Sequence, residues 1–244
     1  MKENRTRIAI ILDRSGSMQS VREATIAGFN TFIRSQREQP GEVTVKLIQF
    51  DDQYDVVFDK PLADVPELTQ DLFVPRGMTA LFDAQGRTIV ALGEELAALP
   101  ESERPSKVIV MTLTDGQENA SKQYGVDQIA ALVKHQTDVY KWDFIFLGAN
   151  QDAIHTGALM AIAPAASLTY RASNAGTANV FAAAASYVSS SRRGAPAAFS
   201  EKDRTASMAP DDPNAVPTPP AATTAPPSPP PALPNPAAAP PTHA

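Results

Sequence analysis

Short apolar segments alternate along the chain with longer segments that repeat at helical spacing, and this alternation limits the possible folds. It predicts an α/β protein with a doubly wound, mostly parallel central sheet of about six strands that helices cover on both faces. One antiparallel edge strand follows the tight reversal at 51–53. The predicted strands are 8–12, 43–50, 54–58, 107–114, 142–147 and 167–170. The predicted helices are 19–39, 81–99, 126–135, 153–162 and 175–190.

The composition changes near residue 195 toward proline, alanine, serine and threonine. Of the 22 prolines, 14 lie at or after Pro210. Proline donates no backbone hydrogen bond, and such a segment buries too little apolar surface to offset the entropy of ordering. We therefore predict a folded domain at 5–193 and a disordered tail with polyproline II character at 194–244. Within the tail, 199–204 interrupts the composition and is predicted to dock as a short turn. The proline runs are also compatible with a peptide ligand, although such tails are usually linkers.

Three oxygen-bearing side chains follow the first predicted strand at alternate positions. They are Asp13, Ser15 and Ser17, directly after the apolar run 8–12. Hard oxygen ligands at the end of a strand suit Mg²⁺, Mn²⁺ or Ca²⁺, whereas zinc prefers nitrogen and sulfur. On its own, such a stretch is equally typical of a turn or of a helix cap.

The D-x-S-x-S spacing of Asp13, Ser15 and Ser17 resembles the metal-ion-dependent adhesion site (MIDAS) of the von Willebrand factor type A domain family. That family takes its second ligand from a threonine before a helix and its third from an aspartate at a strand's carboxyl end. Thr79 and Asp115 stand at such positions, although alone they could be a helix cap and a turn residue. Because ligands collect beyond the carboxyl ends of strands in open α/β sheets, the three segments should converge. The resemblance thus implies the metal ligands Asp13, Ser15, Ser17, Thr79 and Asp115.

The resemblance covers residues 5–193 and implies a function. The bound cation would be Mg²⁺, or else Mn²⁺ or Ca²⁺, with water completing part of its shell. An open position on that cation would capture a glutamate or aspartate from a partner protein. The chain would then be a metal-dependent protein-binding module and not an enzyme. The segment 144–152 also looks like the short stand-alone bacterial and phage members of the family.

Two other functions are compatible with parts of the sequence. In haloacid-dehalogenase-type phosphatases, an aspartate after a strand is the nucleophile, so Asp13 could serve a metal-dependent phosphohydrolase. Those enzymes need a second acidic residue two positions later, and here that position is Ser15. No phosphate-binding G-x-x-x-x-G-K-[ST] motif occurs, and the three histidines fit neither a triad nor a zinc site. The other alternative is a scaffold subunit of an ATPase or chelatase-type complex, which differs mainly in its partner.

Composition bears on partners and location. The formal net charge of -6 argues against a nucleic-acid partner, which would need a clustered basic face. The absence of cysteine excludes disulfides and thiolate metal sites. The apolar run at 8–12 is too short for a signal peptide, and no segment approaches the roughly twenty apolar residues that span a bilayer. These observations predict a cytoplasmic protein with no membrane partner.

Several acidic or amide side chains near the candidate ligands are predicted to have structural roles. Asp51 and Asp52 lie at the reversal between two strands and are interpreted as turn formers. Asp83 lies in the first turn of a helix, where the helix dipole favours a negative charge. Glu118 and Asn119 follow Asp115 and are expected to cap the next helix or to face solvent.

Overall fold

The computed structural model describes residues 2–149 and 151–211. The strands are β1 (Lys2–Asp13), β2 (Glu42–Phe50), β3 (Tyr54–Pro61), β4 (Pro105–Thr114), β5 (Asp143–Ala149) and β6 (Ser167–Tyr170). The helices are α1 (Arg22–Arg37), α2 (Leu81–Ala97), α3 (Val126–Tyr140), α4 (Ala153–Leu159), α5 (Asn174–Arg192) and α6 (Glu201–Ser207). Within these residues, no helix has the length and apolarity needed to cross a bilayer.

The six strands form one sheet in the order β3-β2-β1-β4-β5-β6. Every neighbouring pair is parallel except β2 with β3, so β3 is the antiparallel edge strand. In the centre of β1, the consecutive residues 8–12 have no solvent exposure. Since successive side chains point to opposite faces, both faces of the sheet are covered at this strand. The predicted α/β fold class is confirmed.

The chain leaves β1 for β2 on one side and returns to β4 on the other side. The carboxyl ends of β1 and β4 are therefore adjacent at the point where the strand order reverses, and Leu12 pairs with Leu113 there. Asp13 ends β1, and Thr114 ends β4 immediately before Asp115. This is the crevice in which open α/β sheets bind ligands.

Some element boundaries differ from the prediction. A 3₁₀ turn, Gly16–Val21, precedes α1, because the backbone first bends around the residues that follow Asp13. The helix α3 continues to Tyr140 and ends where Lys141 takes a left-handed conformation, with φ of 58°. The strand β1 begins at Lys2, earlier than the apolar run, because its first residues also pair with β2 and β4.

Ordered structure continues beyond residue 193, where the domain boundary was predicted. The ring of Phe199 is 5% exposed and lies 5.0 Å from the ring of Tyr187 on α5. The backbone N–H of Arg171, just after β6, donates to the carbonyl of Ser207 at 2.9 Å. The segment 199–204, predicted as a docked turn, contains the first turn of α6, which begins with a capping box at Ser200. The remainder of the predicted disordered tail, 212–244, lies outside the described residues.

We expect Phe199→Leu to lower the free energy of unfolding by about 1 kcal/mol, because it removes the aromatic contact with Tyr187 but keeps most of the buried volume. Urea denaturation of the full chain measures the change. Lys202→Ala, at an exposed position of α6, is the control and should leave stability unchanged. Equal stability of Phe199→Leu and the wild type would show that the segment after α5 does not contribute to the folded domain.

Candidate metal centre

Asp13 is a fully buried carboxylate at the carboxyl end of β1. Its Oδ1 atom accepts a hydrogen bond of 2.6 Å from the backbone N–H of Ser15. Its Oδ2 atom accepts one of 2.5 Å from the hydroxyl of Thr114 on the neighbouring strand. These two neutral donors fix the orientation of the carboxylate, and the role of Thr114 was not predicted from the sequence.

The two serines of the motif extend from Asp13 toward Asp115. The hydroxyl oxygens of Ser15 and Ser17 lie 3.1 Å apart. The hydroxyl of Ser17 donates to Oδ1 of Asp115 at 2.5 Å. Ser15 is buried, whereas Ser17 is exposed, so this row of oxygen atoms leads from the interior to the surface. Asp115 lies at the end of the row and is partly buried.

Thr79 is held against the Asp115 loop by Asn119. The backbone N–H of Thr79 donates to Oδ1 of Asn119 at 2.9 Å, and the backbone N–H of Asn119 donates to the carbonyl of Thr79 at 3.0 Å. Thr79 is 3% exposed and lies two residues before the start of α2. Asn119 was expected to cap a helix or face solvent, and its hydrogen bond to Thr79 was not foreseen.

Gly116 shows that the three segments meet at one place. A Cβ atom added at Gly116 would lie 2.8 Å from the Thr79 hydroxyl oxygen, 3.6 Å from that of Ser17 and 3.7 Å from Oδ2 of Asp13. Oxygen atoms from the Asp13–Ser17 segment and from Thr79 therefore border the same small space beside Asp115, which only a residue without a side chain leaves open. The structure thus brings together all five side chains that the sequence singled out.

The charges around Asp13 differ from those around the other buried aspartate of this region, Asp51. Asp51 accepts hydrogen bonds from the guanidinium groups of Arg14 at 3.2 Å and Arg76 at 2.8 Å, and these arginines lower its pKa against the effect of burial. In the described residues, no lysine, arginine or histidine pairs with Asp13. Burial consequently raises the pKa of Asp13 from 3.8 to about 6. Burial also raises the pKa of Asp115.

A buried carboxylate without a cationic partner is unfavourable in water-excluded surroundings, and a bound cation would compensate for it. The five side chains supply two carboxylates and three hydroxyls, a set of hard oxygen atoms that fits Mg²⁺, Mn²⁺ or Ca²⁺. Within residues 2–149 and 151–211, no group of three or more His, Cys, Asp and Glu side chains could hold a metal. This site therefore depends on its hydroxyls, and its residues fit a hard divalent cation.

A network of backbone and side-chain contacts holds the loop before Thr79 next to the loop after Asp13. The N–H of Arg76 donates to the carbonyl of Arg14 at 2.7 Å, and the N–H of Gly16 donates to that of Gly77 at 3.2 Å. Gly77 has φ of 67°, a conformation that favours glycine. Asp51 forms the predicted turn, because its Oδ1 atom accepts a hydrogen bond of 2.6 Å from the N–H of Gln53. It also forms ion pairs with Arg14 and Arg76, a role that was not predicted from the sequence.

Two acidic residues organise the backbone beside Thr79. Glu118 accepts from the N–H of Phe82 at 3.0 Å, so it caps α2, the helix before it in the chain and not the next one. Asp83, in the first turn of α2, accepts from the backbone N–H groups of residues 122, 123 and 124 at 2.8 to 2.9 Å. Asp83 therefore connects the first turn of α2 to the loop before α3, in addition to its favourable position on the helix dipole.

We expect Asn119→Ala to weaken Mg²⁺ binding about tenfold, because the residues that orient metal ligands usually contribute at least this much to affinity. Asn119→Asp keeps an acceptor for the N–H of Thr79 and should bind Mg²⁺ at least as tightly as the wild type. Calorimetric titration compares the variants, with Gln117→Ala at an exposed neighbouring position as the control. Unchanged affinity in Asn119→Ala would show that the position of Thr79 does not depend on this side chain.

Comparison with known proteins identifies the fold. No protein-family model and no curated protein matches the sequence. Among solved structures, proximal thread matrix protein 1 from the mussel byssus, with a zinc-occupied MIDAS motif, is similar at 16% identity and a TM-score of 0.53. The pilus adhesin SpaC from Lactobacillus rhamnosus GG is similar at 15% identity and a TM-score of 0.59. The PilB minor pilin from Streptococcus sanguinis is similar at 11% identity and a TM-score of 0.53.

These alignments cover 74% of this chain for the mussel protein and 78% for each of the other two. They cover 47%, 30% and 63% of the respective matched chains, so this chain spans only part of each of them. The strand order, the antiparallel edge strand and these similarities define an α/β protein, and the candidate metal centre lies at the carboxyl edge of its sheet. Its fold is the von Willebrand factor type A fold.

Proposed function

We propose that the protein is a metal-dependent protein-binding module. Asp13, Ser15, Ser17, Thr79 and Asp115 would hold a divalent cation, Mg²⁺ or else Mn²⁺ or Ca²⁺, and a glutamate or aspartate of a partner protein would complete its coordination. The observation that carries this proposal is the fully buried carboxylate of Asp13, which lacks a cationic partner in the described residues and begins a row of oxygens that reaches the surface.

The composition of the site favours capture of a further carboxylate. Only two of the five side chains are acidic and hydroxyl oxygens contribute no charge, so the cation would remain electrophilic enough to bind an additional anionic ligand. Ser17 is exposed and Asp115 is only partly buried, so an incoming side chain can approach from solvent at that end of the row. The similarity to a protein whose MIDAS motif holds zinc supports a divalent metal in this position of the fold.

The proposal includes no catalytic step. A phosphohydrolase using Asp13 would need a general acid two residues later, and the structure has Ser15 there, hydrogen-bonded to Ser17. His155, on the first turn of α4, is exposed and donates its backbone N–H to Asp152. Neither histidine of the described residues lies among the five candidate ligands, and this supports a binding role over hydrolysis.

The proposal predicts that a short synthetic peptide with one glutamate binds the full chain in the presence of Mg²⁺. The matching glutamine peptide should not bind, and removing the metal with a chelator should abolish binding of the glutamate peptide. Thr79→Ala should weaken peptide binding about tenfold, while Thr79→Ser, which keeps the hydroxyl, should bind like the wild type. Fluorescence anisotropy of labelled peptides measures all of these. Equal binding of the glutamate and glutamine peptides would contradict the proposal.

A further inference from the structure

A cavity of about 360 Å³ lies beside the candidate metal centre. It shares a wall with the centre, because Asn119, which hydrogen-bonds to Thr79, also lines the cavity. Met78, the residue before Thr79, is 55% exposed at the same place. A partner whose carboxylate reached the metal would therefore have this cavity beside it. The lining residues that matter here are Tyr54, Met78, Ala80, Arg87, Asn119 and Lys122.

Arg87, on α2, lines this cavity and is oriented by an aromatic ring. Its guanidinium carbon lies 4.2 Å from the centre of the Tyr54 ring, and the Tyr54 hydroxyl is in turn hydrogen-bonded to Thr88 at 3.2 Å. A stacked guanidinium has one face covered, while its N–H groups point outward in its plane. In the described part of the chain, no carboxylate forms an ion pair with Arg87. Its edge is consequently available for a bidentate contact with an external carboxylate.

The other charged groups around the cavity have partners or add to the positive charge. Asp83 accepts three backbone N–H groups, and Asp52 interacts electrostatically with Arg76, which lies outside the cavity lining. Lys122 is exposed and forms no ion pair with the described residues. The whole chain carries a net charge of -6, so it repels an acidic partner overall. Binding of such a partner is therefore most favourable where positively charged side chains lie at the rim of the site.

We propose that this cavity is a second contact for the partner, at which Arg87 binds a second carboxylate of the segment whose first carboxylate reaches the metal. This inference rests on the proposed function and adds the class of partner: an acidic segment with two carboxylates. The metal provides one anchor, and the planar guanidinium, stacked on Tyr54, provides the other. Lys122 adds charge without directional hydrogen bonding.

The test uses synthetic peptides that contain one glutamate, or two glutamates separated by glycine spacers of increasing length, with the full chain in Mg²⁺. We expect the best two-glutamate peptide to bind about tenfold more tightly than the single-glutamate peptide, as a charge-assisted pair with arginine can contribute. Arg87→Gln should abolish this difference and leave binding of the single-glutamate peptide unchanged. Arg87→Lys should retain only part of it. Lys202→Gln, which makes the same charge change far from the cavity, should retain all of it.

The outcomes separate this inference from the proposed function. Metal-dependent binding of the single-glutamate peptide, with no gain from a second glutamate at any spacer length, would overturn the second contact alone. A gain that persists in Arg87→Gln would also overturn it. If no glutamate peptide bound in a metal-dependent way, the proposed function would fail, and the two-carboxylate partner would fail with it. Thermal unfolding of Arg87→Gln verifies that the domain remains folded.

Discussion

Asp13→Asn is expected to stabilise the metal-free protein and to abolish its stabilisation by Mg²⁺. The buried carboxylate has a pKa of about 6, compared with 3.8 for an unperturbed aspartate. This difference corresponds to a cost of about 3 kcal/mol for holding the charged form in the metal-free fold at neutral pH. Asparagine keeps an oxygen for the N–H of Ser15, and the Thr114 hydroxyl can accept from its amide group. We therefore expect the free energy of unfolding to rise by about 2 kcal/mol in chelator.

The raised pKa of Asp13 also determines the direction in which the stability of the metal-free protein changes with pH. A carboxyl group whose pKa is raised by folding binds more protons in the native state than in the unfolded state between the two pKa values. The metal-free wild type should therefore lose stability as the pH rises from about 4 to about 6, and Asp13→Asn should lack this contribution. Because protons compete with the cation for Asp13, Mg²⁺ affinity should fall as the pH drops below about 6.

Urea denaturation with chelator and with excess Mg²⁺ tests both parts of this prediction. The stability of the wild type should rise with the logarithm of the Mg²⁺ concentration once that concentration exceeds the dissociation constant, and the asparagine variant should gain nothing. Asp51→Asn is an informative comparison, because Asp51 is paired with Arg14 and Arg76 and its removal should destabilise the protein. Equal stabilisation of wild type and Asp13→Asn by Mg²⁺ would contradict the role of Asp13 as a ligand.

Gly116→Ala is expected to weaken metal binding by about a hundredfold, although it changes none of the ligands. The new methyl carbon would lie 2.8 Å from the Thr79 hydroxyl oxygen, closer than such atoms can approach. Either Thr79 or the Asp115 loop must move, and both carry proposed ligands. The displacement should also lower the free energy of unfolding by about 1 to 3 kcal/mol, as is typical of overpacking.

Gly16→Ala is the matched control, because it inserts the same methyl group into the motif itself. The nearest atom to that methyl carbon would be the carbonyl oxygen of Gly77 at 3.6 Å, which is an ordinary contact. Calorimetric titration of Mg²⁺ should therefore give nearly wild-type affinity for Gly16→Ala. Wild-type affinity in Gly116→Ala as well would show that Thr79, Ser17 and Asp13 do not share one cation.

The sequence pattern predicted the sheet, and the resemblance to a known family implied the five candidate ligands. The short apolar run at 8–12 is typical of a strand buried on both faces, and together with the alternating helices it predicts a parallel sheet. Asp13, Thr79 and Asp115 each stand at the end of a strand or before a helix. Their convergence could be predicted because the carboxyl ends of parallel strands meet at one edge of the sheet.

The residues that orient the ligands could not be predicted, because their partners are distant in the chain. Asn119 holds Thr79 across 40 positions, and Thr114 reaches Asp13 across 101. Hydrogen bonds of this kind depend on strand register and loop path, which leave no periodic signal in the sequence. Phe199 was predicted to lie in a docked turn of the tail and not in the core, because its position against Tyr187 also depends on a distant contact.

The most direct test of the metal centre is a titration of the full chain with Mn²⁺, followed by the electron paramagnetic resonance signal of the free ion. We predict a single saturable site in the wild type, displacement of Mn²⁺ by excess Mg²⁺, and no such site in Asp13→Asn. Binding of Mn²⁺ that is unchanged in Asp13→Asn, or the absence of any saturable site in the wild type, would contradict a cation held by Asp13, Ser15, Ser17, Thr79 and Asp115.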